Sequence, residues 1–232
     1  MAKRVNTTLA VIGTLFVAAI IMVGVIFLLT RNKDPQEFLS LVKADRAKLE
    51  AAVESAPDPA DASEAQRKEI ERLRGDIRSN YASAIKYSKG AEKKSELLFE
   101  LADFFLSSTA YYDANWRGAM KCWDTITGIL PNNVTARRKM FDYHYTAGSS
   151  FYEVAGSNNK VWSKVEESAA ELISACKENG VEPEMKVFKA KARAPMEIAN
   201  AGLTSKPEEE VQKAIDQFKE LLAENPKDIE LY

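Results

Sequence analysis

Histidine and cysteine are almost absent from this chain: its 232 residues carry one histidine, His144, and two cysteines, Cys122 and Cys176. A zinc site needs three or four nitrogen or sulfur ligands. His144 has no second His or Cys at ligand spacing, so no metal site is expected. A general base needs an orienting acid and a nucleophile beside it. Asp142 and Tyr143 precede His144, but adjacent residues on a helix do not face one another. The G-x-x-x-x-G-K-[ST], G-x-G-x-x-G, H-E-x-x-H and G-x-S-x-G patterns are missing as well. No catalytic, cofactor-binding or metal residue is therefore assigned, and neither an enzyme nor a bound cofactor is expected. The two cysteines read as buried free thiols, the usual state of an unpaired Cys; an oxidising compartment would leave a bridge open to them.

Acidic residues are missing from the first 33 positions, where four basic residues stand. From Asp34 onward 28 basic residues face 34 acidic ones, a net charge of −6. A mildly acidic body has no electrostatic footprint for nucleic acid, and none is expected as a partner. The short run Arg137-Arg138-Lys139 reads as a solvated helix face. Asn133-Val134-Thr135 and Asn6-Thr7-Thr8 match glycosylation acceptors, triplets that arise often by chance.

Residues 9–29, LAVIGTLFVAAIIMVGVIFLL, contain no charge. As a helix they would span about 30 Å, the hydrocarbon thickness of a bilayer. The run is longer than a signal-peptide core, and no small-x-small cleavage site follows it. Residues 1–33 are thus expected to be a short tail and a transmembrane helix in contact with the lipid bilayer. Flanking charges barely set the orientation. The short tail ahead of a large body fits a signal anchor with its N-terminus inside, which makes this a single-pass membrane protein with a periplasmic or otherwise extracytoplasmic body.

Sustained alternation of period two is also missing, and apolar residues recur at helical spacing instead. Asp34 with Pro35 marks a helix start, and a helix is expected over 36–54. Residues 55–63, SAPDPADAS, form a Pro-rich break. Ser63 caps a charged helix through Ile85, with Gly90 as its end. Residues 34–90 then read as a charged helical spacer. Further helices are expected over Leu97–Leu106, from Ala119 to Pro131, and over about 134–153, 160–178 (stopped by Asn179-Gly180) and 183–201. A last one is capped by Ser205. The fold class is all-α.

One spacing recurs in that series. Ala119 is followed at +4 by Trp123, at +7 by Ile126 and at +12 by Pro131; Ala214 is followed at the same offsets by Phe218, Leu221 and Pro226. A weaker copy runs through Ala169, Ile173 and Cys176. A small residue lets a neighbouring helix approach, a large one a turn later fills the gap, and proline ends the element. Such a hairpin cannot bury its apolar face alone and stacks on the next. With Leu98-x2-Leu101-Ala102-x2-Phe105 as an opening helix, the pattern resembles the tetratricopeptide repeat. The likeness covers roughly residues 91–232. It departs from that family in its intervals of 50 and 45 residues between anchors and in a turn after Phe105 longer by about five residues. It implies a solenoid of stacked antiparallel helical hairpins. The final helix keeps an apolar stripe where a solenoid normally ends in a polar face, so the domain is expected to be incomplete at its C-terminal end.

The resemblance further implies a concave groove lined by first-helix residues, here Phe99, Asp103, Arg138, Asp142 and Tyr145. The expected function is a membrane-anchored scaffold for protein–protein interaction, taking peptide or helix segments of other proteins, similar to bacterial cell-envelope proteins with one anchor and such repeats. Two alternatives remain open: an N-terminal anchor and regulatory region of a longer enzyme, and a self-assembling structural envelope protein that forms homo-oligomers.

Overall fold

The structure, a computed structural model, describes residues 33–151, 159–202 and 204–225. These form an all-α chain whose elements are α1 (Pro35–Ser55), α2 (Glu64–Tyr87), α3 (Ala91–Leu106), α4 (Trp116–Ile129), α5 (Val134–Phe151), α6 (Asn159–Glu178), α7 (Met185–Asn200) and α8 (Pro207–Glu224). Among the described residues there is no strand. One isolated antiparallel bridge, Thr109 to Tyr112, closes a tight turn between α3 and α4.

The helix ends follow local chemistry. The Asp34 carboxylate accepts a 2.9 Å hydrogen bond from the Gln36 N–H, and Pro35 opens α1, where its missing N–H costs nothing. Ser63 and Gln66 form a reciprocal capping box at the start of α2. Asn115 caps α4 through Gly118, and Asn133 caps α5 through Ala136. At the end of α6, Gly180 has φ +65°; Val181 N–H bonds back to the Cys176 carbonyl and Gly180 N–H to that of Lys177, the double closure of a Schellman motif.

Two expected ends fall elsewhere. Gly90, with φ +86°, starts α3 rather than ending α2, which stops at Tyr87. Ser88 has already satisfied Ala84 with both its N–H and its hydroxyl. Lys206, not Ser205, stands at the start of α8 and makes no side-chain cap. Thr204 takes the local role instead, accepting from the Lys206 N–H at 3.1 Å. Pro195 neither breaks nor ends α7; it lies buried within the helix.

Each helix packs mainly on its neighbours in sequence. The pairs α1–α2, α3–α4, α5–α6, α6–α7 and α7–α8 are extensive, whereas α2–α3 and α4–α5 touch more lightly. One apolar core joins α1 to α4 through Leu49, Leu73, Tyr81, Leu98 and Trp123. A second joins α5, α6 and α7 through Phe141, Val165, Leu172, Val187 and Ile198. Helix α5 serves both, since Ala136, Met140 and Tyr143 pack on the first core while Phe141 and Tyr145 pack on the second. Residues 34–90 thus share their apolar packing with α3 and α4. The three alanines at the recurrent spacing, Ala119, Ala169 and Ala214, are each 0 % exposed. Trp123, Ile126, Ile173, Cys176 and Leu221 are buried beside them, and Phe218 is half-buried.

The expected transmembrane helix, residues 9–29, lies outside the described residues. Among those described, no helix is long and apolar enough to cross a membrane. That finding corrects the expectation of a single-pass protein with an extracytoplasmic body. The helices that carry the fold are amphipathic, each with a charged face that lipid would not accept.

Candidate functional site

Helix α5 supplies three of the five expected groove residues. Arg138, Asp142 and Tyr145 stand at spacings of four and three, so they share one face. The start of α7 comes against that face. Arg138 forms a 2.8 Å ion pair with Glu184, and Lys186 reaches Asp142 at 3.2 Å. The Lys186 ammonium also lies 4.9 Å from the centre of the Tyr145 ring. Tyr145 in turn stacks on Phe141 at 5.7 Å. These ion pairs are about half exposed on both sides, so each contributes on the order of 1 kcal/mol or less.

Phe99 and Asp103 lie on α3. Phe99 packs partly buried against the first core, and the Asp103 carbonyl accepts the Ser107 N–H that ends the helix. The structure places no bond or ring contact between these two residues and the α5 face. Arg137 and Arg138 of the short basic run are both paired, to Glu171 and Glu184 respectively.

A neighbouring feature was not expected. Trp116, the first residue of α4, is 47 % exposed, and its ring stacks on Tyr143 of α5 with centroids 5.5 Å apart. Tyr143 then meets the edge of His144. Trp116 stands three and seven residues before buried Ala119 and Trp123, so helical spacing alone puts it on their face; it is exposed because it is the first residue of α4, at the edge of the packed stripe. His144 itself is half-buried, and burial, reinforced by the charge of Lys164, holds its pKa below the ordinary histidine value. Cys122 and Cys176 are free and buried, and burial pushes the Cys122 thiol up to about 11.

Two clefts flank the Thr109–Tyr112 turn. One, of about 330 Å³, has Arg46, Leu49, Phe104 and Tyr112 in its walls. The other, of about 500 Å³, is lined by Arg67, Arg74, Arg78, Tyr111 and Tyr112. Among the described residues no group of three or more His, Cys, Asp or Glu side chains is placed to hold a metal ion. The chemistry on offer at the α4–α5–α7 surface is stacking and ion pairing: an exposed indole, two tyrosines and two solvent-facing ion pairs. No protein-family model matches this chain, and no curated protein or solved structure is significantly similar to it.

Proposed function

We propose that this protein is an interaction scaffold, a TPR-like stack of antiparallel helical hairpins that docks a peptide or helix segment of another protein against α5. The observation that carries this reading is the exposed Trp116 stacked on Tyr143 beside the Arg138–Asp142–Tyr145 face. Tryptophan, tyrosine and arginine are the residues on which binding energy concentrates in protein interfaces. An indole left nearly half in water forgoes burial worth on the order of 1 kcal/mol or more, which a partner would recover.

The repeat reading draws support from links between alternate helices. Asp142–Lys186 and Arg138–Glu184 tie α5 to the start of α7, and Glu166–Lys213 ties α6 to α8. Hairpins stacked in register bring first helix beside first helix and second beside second. The fully buried Ala119, Ala169 and Ala214 fit the close helix approach that such stacking needs.

Site-specific crosslinking tests the reading. A benzophenone side chain replaces Trp116 in the full-length chain within its own cells, and a control carries it at Lys68, an exposed position on α2. Discrete protein adducts are expected from position 116 and not from 68, and Tyr143→Ala and Arg138→Ala should diminish them. Equal adducts from both positions, or none from 116, would refute the scaffold surface.

A further inference from the structure

Helix α2 carries two kinds of arginine. Arg72 is neutralised within its own helix by Glu69 and Asp76. Arg67, Arg74 and Arg78 are not paired with any carboxylate among the described residues. Their spacings of seven and four residues put them within about 40° of one another around the helix. They form one wall of the 500 Å³ cleft, and the Thr109–Tyr112 turn forms the other.

That second wall is fixed. The Tyr111 hydroxyl donates to the Ala56 carbonyl, and the Tyr111 N–H donates to the Thr109 hydroxyl at 3.2 Å. The guanidinium of Arg74 lies 3.5 Å from the centre of the Tyr112 ring, and its Nε is buried with no acceptor. Arg67 spends Nε and Nη2 on the Ala62 carbonyl, and Arg78 spends only Nε, on the Arg74 carbonyl. Arg78 therefore keeps both terminal amino groups free. Burial, with the charge of Arg78 behind it, holds the Arg74 pKa below the usual arginine value. Glu71 lines the same cleft, at helical pairing distance in sequence from both Arg67 and Arg74, yet bonds to neither. The three guanidinium groups on this wall thus have no carboxylate bound to them among the described residues.

The length of the wall selects the ligand. At 1.5 Å per residue the three arginines are strung over about 16 Å of helix. A lone phosphate needs donors that converge on one point; an extended peptide rising about 3.3 Å per residue covers 16 Å in about five residues. Tyrosine rings beside the arginines suit a chain with apolar as well as charged groups, and Glu71 can accept one of its backbone N–H groups. The negative net charge from Asp34 onward opposes the dense charge of a nucleic acid more than a short peptide that carries only a few carboxylates. We propose that this cleft binds an extended acidic peptide segment of a partner protein, about five residues long, whose carboxylates pair with Arg67, Arg74 and Arg78. The site is separate from the α5 surface, and either can fail without the other.

Fluorescence anisotropy of a labelled peptide of alternating Glu and Ser, titrated with the full-length protein, tests the proposal. Binding is expected, and it should weaken as NaCl rises from about 50 to about 300 mM. Arg74→Gln and Arg78→Gln should each reduce affinity about three- to tenfold. Arg72→Gln, on a paired arginine, should change it less than twofold or about that. Arg78 is exposed, so its variant keeps the helical circular dichroism of the parent and remains informative even if Arg74→Gln unfolds. No anisotropy change, or an equal loss from Arg72→Gln and Arg78→Gln, would overturn the proposal. Displacement by inorganic phosphate or by a short oligonucleotide at lower concentration than by unlabelled peptide would overturn it too.

Discussion

Replacing Gly118 by alanine should destabilise the protein, although a helix ordinarily gains from that change. Gly118 is the third residue of α4. A β-carbon built there would lie 2.7 Å from both Cγ and Cδ1 of Phe105 and 2.9 Å from Cδ2. Carbon atoms in contact prefer about 3.5–4.0 Å, so the ring has to move by roughly 1 Å. It cannot simply swing its tip aside, because Cγ is one bond from a Cβ that the backbone fixes, and moving it takes a change of χ1 away from its rotamer. That backbone is pinned, since the Phe105 carbonyl accepts the Asn115 N–H at 2.6 Å and Ser107 closes the same helix end on Asp103. Forcing a methyl group into such packing costs about 1–3 kcal/mol. Removing a glycine near a helix start returns about 0.5–1 kcal/mol. The net expectation is a loss of up to about 2.5 kcal/mol, centred at about 1 kcal/mol, a fall in Tm of a few degrees for a chain of this size.

Urea denaturation followed by circular dichroism measures the change. The companion variant Phe105→Leu and the double variant complete a cycle. With the ring gone the alanine should be tolerated, so the two effects should be coupled by about 1 kcal/mol or more. If Gly118→Ala raised stability by the amount that helix propensity alone gives, or if the two substitutions were additive, the close approach of α4 to the end of α3 would be wrong. The turn that carries Tyr111 and Tyr112 would then be misplaced as well.

The single histidine offers a clean pH test. The folded pKa of His144 is depressed by burial, so the unfolded chain binds the proton more readily; the stability held above the ordinary histidine pKa of about 6.5 should fall as pH drops through the folded value. Its one imidazole Hε1 resonance should titrate with a midpoint below that of an exposed histidine, and a midpoint above it would contradict the burial. The thiols give a second check. With Cys122 raised to about 11 and both sulfurs buried, a thiol reagent at neutral pH should label neither until urea is added, and prompt reaction of the native protein would refute the packing of α4 and α6.

Helix ends were legible wherever one side chain and one backbone group within four residues decide the matter, as at Asp34, Ser63 and Gly180. The buried alanines were legible for a different reason. A small residue with a large neighbour one turn on has few uses except close packing, and the three sites are all fully enclosed. Gly90 misled because a glycine between two helices is more often the end of the first, whereas here it precedes α3 with φ +86° and α2 has already stopped at Tyr87. The face shared by Arg138, Asp142 and Tyr145 could be read from spacing, but not its partners Glu184 and Lys186. Those lie more than 40 residues on, and they arrive only because the intervening hairpin folds back. Phe99 and Asp103 were expected on the same groove, but they stand on α3, where Phe99 packs on the first core and the Asp103 carbonyl closes its own helix end.

Arg72 and Arg74 make the limit concrete. They stand two residues apart on one helix, and both have an acid three residues before them, Glu69 and Glu71. A rule based on i,i+3 and i,i+4 pairs treats them alike. Arg72 obeys it and forms a local surface pair. Arg74 instead turns away from Glu71 onto the ring of Tyr112, 38 residues distant, where its charge is partly desolvated and its Nε is left without an acceptor. A partly buried cation without a counter-charge is costly to keep. The face of the Tyr112 ring under the guanidinium offsets part of that cost, and an anionic peptide in the cleft would offset more of it.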